Sequence, residues 1–352
     1  MQEDTEKVIL PLKESLTKAW PENNFLNALV QTMDTGYDWL MNTHIQTYGS
    51  VYRNQTYDIF EGRVTFYPFG MLRANIYDLC PFIRKYNIPR KYVLENYSKF
   101  SDFLVKSIQK RFYICTRIYQ HFLKDDLRVH PCYFFGYDLI EKKFWTADNY
   151  ENGKYKTKIL SFQDVDKAFD EAKEYGWDAG VFLYEMQDYH FENNVTFIAD
   201  QVEDYLLSGK GMCYLNRFYC PSPKYKNEDE EGQVVLGLAS YQILFDQIEP
   251  LKEGKSSSGN LDFRSFVFLR DHKKMMLLRN RYLEEKGVLP SDSGLQEQVD
   301  KLYRSTSQFL YMLLKFNAKP EEDQYKKCRS KLEEIRYLDE EYMKHLLNVL
   351  RR

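Results

Sequence analysis

The fold is decided by two neighbouring aromatic segments, Val129-His-Pro-Cys-Tyr-Phe-Phe-Gly-Tyr-Asp138 and Phe144-Trp-Thr-Ala-Asp-Asn-Tyr150, which a short charged turn connects. Aromatic residues are typical of β-strands, so the two segments predict an antiparallel hairpin. Its paired ends bring His130 to the same edge of the sheet as Asp148 and Asn149. An imidazole beside a carboxylate or an amide is the orienting half of a nucleophilic triad, whose third member is a cysteine or serine. These three residues are therefore candidate catalytic residues. A half-buried structural histidine and a turn aspartate are the alternative interpretations.

The composition is that of an ordered globular protein. Apolar residues make up 43 % of the 352 residues, and the 29 Tyr and 24 Phe supply material for a sizeable core. The net charge of -3 indicates no general affinity for nucleic acids. No apolar run approaches the roughly 18 residues of a membrane-spanning helix, and the polar first residues do not resemble a secretion signal. The six cysteines show no CxxC spacing, so reduced thiols in a cytoplasmic protein are expected.

The rest of the chain predicts an α+β domain followed by a helical domain. Asn23 or Asn24 is a good N-cap for a helix from Phe25, where apolar residues recur at helical spacing. Further strands are predicted at 111–121, 155–160 and 181–187, and a helix capped by Ser161 follows the second of them. Helices are predicted at 195–207, 234–249, 263–286, 292–317 and 321–350. The predicted domains are residues 1–193, which pack an N-terminal helix on an antiparallel sheet, and residues 194–352.

The order of these features resembles the N-terminal domain of the butirosin-biosynthesis H-type proteins, a branch of the papain-like cysteine peptidase fold. The match is carried by His130, Gly136-Tyr137-Asp138, Phe144, Asp148 and Gly153-Lys154-Tyr155. The resemblance implies a papain-like domain with a C-terminal helical region. It also implies transfer of an acyl or peptidyl group from a thioester on a carrier protein to a small-molecule amine, as in aminoglycoside or nonribosomal-peptide antibiotic biosynthesis. In an active member His130 would be the base, Asp148 or Asn149 would orient its ring, and the helix start near Asn24 would bind the oxyanion through backbone N–H groups.

The chain departs from this family at the position of the nucleophile. Family members carry a cysteine at the start of the N-terminal helix, where the helix dipole and the histidine favour the thiolate. The matching residue here is Asn24, and no cysteine precedes Cys80. An amide has no useful nucleophilicity, so a covalent thioester intermediate cannot form there. Three explanations stay open: a natural inactive relative that binds substrate, an engineered substitution that traps it, or chemistry carried out by Cys132, Cys115 or Tyr137.

No metal or cofactor is expected. The histidines lack metal-ligand spacing, and the chain contains no glycine-rich phosphate loop. Cys132 and His130 would face the same side of an extended strand, about 6.5–7 Å apart, although a core cysteine is the simpler interpretation.

A basic patch is predicted on the helix at 263–286, where Lys273-Lys274 and Arg279-Asn-Arg281 occur. A solvated helix face is the simplest interpretation, and a docking surface for an acidic carrier protein is the functional one.

Two functions of different class follow. The first is an amide-forming acyltransferase, and the second is a non-catalytic pseudoenzyme that acts as a scaffold or substrate-binding partner in a biosynthetic cluster. A secreted peptidase is disfavoured, since the chain shows neither a leader nor a disulfide pattern. The sequence leaves the oligomeric state open, a homodimer included.

Overall fold

The computed structural model describes residues 5–54, 59–66, 76–119, 129–150, 153–172, 180–208, 234–249, 261–318 and 322–352. These residues form two compact units. Unit 1 comprises residues 1–37 and 75–190, and unit 2 comprises residues 38–74 and 191–352. The division near residue 190 lies close to the predicted boundary. However, the segment 38–74, which was assigned to the first domain, belongs to unit 2.

The strands and helices alternate along the first half of the chain, and helices dominate the second half. The strands are β1 (Lys7–Ile9), β2 (Thr47–Asn54), β3 (Ile59–Phe66), β4 (Ile83–Ile88), β5 (Tyr113–Tyr119), β6 (Val129–Asp138), β7 (Lys143–Asn149), β8 (Tyr155–Ser161), β9 (Val181–Met186) and β10 (Val234–Leu236). The helices are α1 (Pro21–Val30), α2 (Gly36–Thr43), α3 (Arg90–Asn96), α4 (Phe100–Gln109), α5 (Phe162–Glu171), α6 (Val195–Leu206), α7 (Tyr241–Ile248), α8 (Arg264–Glu285), α9 (Leu295–Ala318) and α10 (Glu322–Leu350). Short 3-10 helices cover Ile76–Leu79 and Gly237–Ser240.

Unit 1 is built on one antiparallel sheet with the strand order β4-β9-β5-β6-β7-β8, and β1 pairs with the end of β6. The predicted hairpin is present, since Asp138 pairs with Lys143 and Tyr133 pairs with Ala147 across β6 and β7. The α+β architecture with an antiparallel sheet and C-terminal helices is therefore confirmed.

Helices cover both faces of this sheet. Successive side chains of a strand point to opposite faces, and Tyr133 and Phe134 of β6 make different contacts. Phe25 of α1 stacks on Tyr133 with ring centroids 4.2 Å apart, whereas Phe134 meets the edge of Phe100 in α4 at 6.2 Å. Phe100 in turn stacks on Phe169 of α5 at 3.7 Å. Burial of each such ring contributes about 1.5–3 kcal/mol.

Each residue of the Gly136-Tyr137-Asp138 segment, which is part of the motif that carries the resemblance, makes a structural contribution in β6. A Cβ on Gly136 would lie 2.9 Å from the carbonyl oxygen of Val8, so β1 can pair closely only with a glycine here. The Tyr137 hydroxyl donates a hydrogen bond to the Thr5 carbonyl at 2.8 Å. Asp138 Oδ1 accepts the backbone N–H of Glu141 at 2.9 Å and closes the hairpin turn.

Two of the predicted helix starts can be compared directly. The cap at Ser161 is confirmed, because its hydroxyl accepts the backbone N–H of Asp164 at 3.0 Å. The prediction that Asn23 or Asn24 caps the first helix is wrong. Helix α1 begins at Pro21 after the N-cap Trp20, in agreement with the preference of proline for the first helical turn.

Unit 2 is mainly helical and contains a three-stranded antiparallel sheet of order β10-β2-β3. Within it, α9 packs against both α8 and α10. The predicted helix at 234–249 is only partly present, because β10 and a 3-10 turn occupy residues 234–240 before α7 begins. Side-chain contacts in unit 2 bury a charged cluster on α8.

This cluster contradicts the predicted basic surface patch at Lys273. Lys273 is fully buried and pairs with the equally buried Asp339 of α10, with Nζ and Oδ2 2.5 Å apart. The hydroxyls of Tyr205 and Tyr241 donate to the same oxygen at 2.6 and 3.0 Å. Burial lowers the pKa of Lys273, and the carboxylate opposes that effect. Lys273 therefore contributes a core ion pair and no docking surface.

Arg279 is also fully buried, whereas Lys274 is half-buried and Arg281 is exposed, so only these last two residues of the predicted patch reach the surface. Arg279 Nε donates to the Met41 carbonyl at 2.6 Å, and its Nη2 donates to the His44 carbonyl at 2.8 Å. These carbonyls lie at the C-terminal end of α2, where helices leave acceptors unsatisfied. The guanidinium thus holds α8 to the end of α2.

Candidate functional site

His130 and Asp148 form a hydrogen-bonded pair at the edge of the sheet in unit 1. His130 lies near the start of β6 and Asp148 near the end of β7, so antiparallel pairing brings them together. His130 Nδ1 lies 2.8 Å from Asp148 Oδ2. The carboxylate is fully buried, whereas 30 % of the histidine side chain is exposed. Asp148 Oδ1 also accepts the backbone N–H of Asn149 at 2.6 Å, which fixes the carboxylate.

The charge of Asp148 acts on the protonation of the imidazole. Burial disfavours the imidazolium, but the hydrogen bond and the negative charge of Asp148 outweigh it, and the pKa of His130 rises above 6.5. In the neutral ring the contact with the carboxylate holds the proton on Nδ1 and leaves the Nε2 lone pair as the base. The pair therefore has the arrangement of an oriented general base.

A second polar feature, the amide chain, links α1 to the end of β7 through Asn27, Thr17, Asn24 and Asn149. Asn27 Nδ2 donates to Thr17 Oγ1 at 2.8 Å, and the Thr17 hydroxyl donates to Asn24 Oδ1 at 2.9 Å. Asn24 Nδ2 donates to Asn149 Oδ1 at 3.1 Å, and Asn149 Nδ2 donates to the Ala19 carbonyl at 3.0 Å. Each step uses one donor and one acceptor, so the direction of the chain is set along its length.

The three expected triad positions are divided between the two features. Asp148 and Asn149 are neighbours on β7, and alternation directs their side chains to opposite faces. Asp148 binds His130, while Asn149 binds Asn24. Within the described part of the chain, no hydrogen bond joins His130 to Asn24. Asn149 is thus a partner of the helix rather than the group that orients the imidazole.

Asn24 also lies deeper in α1 than expected. Its backbone N–H donates to the Trp20 carbonyl at 2.9 Å, so this group is already used by the helix. The prediction that backbone N–H groups near the helix start bind an oxyanion therefore cannot include Asn24. The side chain is fully buried and both ends of its amide are hydrogen-bonded.

The alternative nucleophiles lie in the protein interior. Cys132 is fully buried with Sγ 3.6 Å from the Tyr150 hydroxyl, and burial raises its pKa well above 9.0. Burial likewise raises the pKa of Cys115, so neither thiol is a thiolate at neutral pH. The Tyr137 hydroxyl is hydrogen-bonded to the Thr5 carbonyl.

A cavity of about 100 Å³ lies beside the start of α1, between β5, β6 and β9. Its walls include Tyr77, Tyr133 and Tyr184, and its charged groups are Glu22 and Arg117. Pro131 also lines it, and strand alternation directs the side chain of the neighbouring residue, His130, to the opposite face of the sheet. Sequence reasoning missed these residues, because they converge only through the strand order.

No group of three or more His, Cys, Asp or Glu is placed to hold a metal ion among the residues that the structure describes. None of the described helices is long and apolar enough to cross a bilayer.

Comparisons with known proteins add no family assignment. No protein-family model matches the chain, and a search of curated proteins finds no match. The resemblance to the butirosin-biosynthesis H-type proteins thus rests on the motif residues and their order alone.

Proposed function

We propose that this protein is a non-catalytic relative of the butirosin-biosynthesis H-type acyltransferases, with a papain-like domain in its N-terminal half. In this role it binds an acyl or peptidyl thioester presented by a carrier protein, together with a small-molecule amine, and forms no acyl-enzyme. Such a protein serves as a binding or scaffold partner in natural-product biosynthesis inside the cell.

The observation that carries the proposal is the burial and hydrogen bonding of the Asn24 side chain. Its carboxamide stands where the family has a thiol, is fully buried, and is hydrogen-bonded to Thr17 and Asn149. An amide in place of a nucleophile removes the covalent step, and its hydrogen bonds preserve the packing of α1 on the sheet. Cys115 and Cys132 do not restore the step, since burial keeps both thiols protonated.

The oriented His130 favours a second candidate function, direct amide formation without an acyl-enzyme. His130 Nε2 would take a proton from the attacking amine as the new C–N bond forms. The C–S bond of the thioester would then break, and the thiolate would leave and be protonated. This reaction needs only the base and a bound donor and acceptor, which the His130–Asp148 pair could serve.

Intact-protein mass spectrometry with acetyl-pantetheine as the thioester donor tests the proposal. We expect no acyl adduct on the natural protein, and one adduct on the Asn24→Cys variant. The adduct should disappear when His130→Ala is added. Asn23→Cys is the matched control, since Asn23 is the adjacent buried residue of the same helix.

The outcomes separate the candidates. An adduct on the natural protein would refute a non-catalytic role. No adduct on Asn24→Cys would remove the support for a family-type site at the start of α1. An amide product from acetyl-pantetheine and an added amine, lost with His130→Ala but formed without any adduct, would establish the second candidate.

A further inference from the structure

A groove with a volume of about 400 Å³ runs between α7 and α10 in unit 2. This volume lies in the range of about 300–1,000 Å³ that is typical of small-molecule sites. Residues three or four positions apart lie on the same face of a helix, and each wall of the groove is one such face. The walls are formed by Gln242, Phe245, Asp246 and Glu249 on one side and by Arg329, Glu333 and Arg336 on the other.

The end of the groove beside the C-terminus of α7 carries a net negative charge. Arg329 Nη1 donates to Glu249 Oε2 at 2.9 Å, and Arg329 Nε lies 3.3 Å from Glu333 Oε1. The guanidinium also lies over the ring of Phe245, 5.5 Å from its centroid. Two carboxylates thus share one guanidinium that is already held in place, and one negative charge is left over.

Asp246 adds a second negative charge next to this cluster. Its side chain is half-buried, and its Oδ1 accepts the amide of Gln242 at 2.7 Å. Within the described part of the chain, no lysine or arginine forms an ion pair with Asp246. A neutral amide donor leaves the charge of the carboxylate in place, so Asp246 can still bind a cation.

Arg336 supplies a positive charge at the other end of the groove. It follows Arg329 by seven residues, which is about 10 Å along α10. Burial raises the pKa of Tyr241 at the start of α7, and the charge of Arg336 opposes this rise, which places the guanidinium near that end of the helix. Arg336 is exposed, and no carboxylate among the described residues forms an ion pair with it.

We propose that this groove binds a short peptide by its two termini, with the terminal carboxylate at Arg336 and the terminal ammonium at Asp246. A guanidinium matches the geometry of a carboxylate, and charge-assisted hydrogen bonds are the strong ones. A ligand with one group of each sign satisfies both unpaired side chains at once, whereas a ligand of one sign satisfies only one. The inference concerns unit 2 and requires neither His130 nor a thioester.

The dimensions of the groove indicate a dipeptide. A volume of about 400 Å³ equals roughly thirteen water molecules at the density of the liquid, so a ligand of about a dozen non-hydrogen atoms fits. Two extended residues span at most about 7 Å, which is within the roughly 10 Å between Arg329 and Arg336 along α10. In a single amino acid both charged groups are attached to one carbon atom, so it reaches less far along the groove.

Saturation-transfer NMR titrations of the full chain with three related ligands test the inference. The ligands are alanyl-alanine, its N-acetyl form, which lacks the ammonium, and its C-terminal amide, which lacks the carboxylate. We expect the free dipeptide to bind at least about ten-fold more tightly than either blocked form.

Two variants assign the contacts. Arg336→Gln should weaken alanyl-alanine by about ten-fold and leave the affinity for its amide unchanged. Asp246→Asn should weaken alanyl-alanine to a similar extent and leave the affinity for the N-acetyl form unchanged. Arg281→Gln is the matched control, since Arg281 is an exposed arginine of α8 that does not line the groove, and it should change none of these affinities.

Three results would overturn the inference. They are equal binding of the free dipeptide and a blocked form, no saturable binding of alanyl-alanine below about 10 mM, or an Arg336→Gln variant that weakens the amide as much as the free dipeptide. Should a variant fail to fold, the comparison of the three ligands on the natural protein decides alone. The titration contains no thioester, so its outcome is independent of the acylation experiment.

Discussion

Neutralising Lys273 should destabilise the protein strongly, although the residue is far in sequence from the candidate site. Lys273 and Asp339 are both fully buried in unit 2, and their charged atoms lie 2.5 Å apart. The perturbation is Lys273→Met, which keeps a flexible apolar stem and removes the ammonium. It leaves Asp339 as a buried carboxylate with the hydroxyls of Tyr205 and Tyr241 as its donors.

The magnitude follows from the geometry. Coulomb's law at 2.5 Å and an effective interior dielectric constant of about 20 gives an attraction of about 7 kcal/mol. Desolvation of the two ions offsets several kcal/mol of it, so the pair itself adds little net stability. Removing one partner leaves the other charge buried without its counter-ion, and we expect a loss of about 3–5 kcal/mol in the free energy of unfolding.

The assay is urea denaturation followed by intrinsic fluorescence for four proteins: the natural one, Lys273→Met, Asp339→Asn, and the double variant. The amide in Asp339→Asn still accepts from the two tyrosine hydroxyls, so the double variant leaves no unpaired charge in the core. We expect it to lose about 1–2 kcal/mol, less than either single variant. The reasoning is refuted if the double variant loses as much as the two single variants combined, or if Lys273→Met loses under about 1 kcal/mol.

Three further predictions concern other contacts. The folded-state pKa of His130 lies above 6.5, so its bond to Asp148 should stabilise the protein below about pH 6.5 and cease to do so as the pH rises through that pKa. His130→Gln should therefore lower the urea midpoint more at about pH 5.5 than at about pH 8.5, and an equal effect at both would contradict this. Arg279→Ala should lower the free energy of unfolding by about 3 kcal/mol or more, because it leaves two buried carbonyls without a donor. Arg279→Lys should not restore this stability, and urea denaturation midpoints of both variants check the prediction. Gly136→Ala should cost about 1–3 kcal/mol and speed hydrogen exchange at Leu10, whose backbone N–H donates to the Phe135 carbonyl, while unchanged exchange would mean that β1 tolerates the methyl group.

The local features of the fold could be predicted from the sequence because their causes are local. The hairpin follows from aromatic segments on either side of a turn, and the cap at Ser161 follows from its spacing to Asp164. The closeness of His130 and Asp148 is a consequence of the same hairpin. In each case the partners lie within about 20 positions of one another in the chain.

The failed predictions have partners that are distant in sequence. Lys273 was expected at the surface, because its acidic partner Asp339 lies on another helix and no residue near Lys273 in the sequence indicates the ion pair. The amide chain joins Asn24 to Asn149, 125 positions away. The tyrosine cavity is assembled from α1 and three strands that become neighbours only in the folded sheet. Single-sequence patterns contain no information about such pairings.

The motif that carries the family resemblance consists largely of residues that the fold itself needs. Gly136 permits the approach of β1, and Asp138 closes the hairpin turn. His130 and Asp148 satisfy each other at the sheet edge whether or not a nucleophile faces them. A relative that lost its thiol would keep all of these residues under selection for folding alone. The motif therefore cannot separate an active enzyme from a binding protein, and the two functions that we propose differ in what they require of position 24.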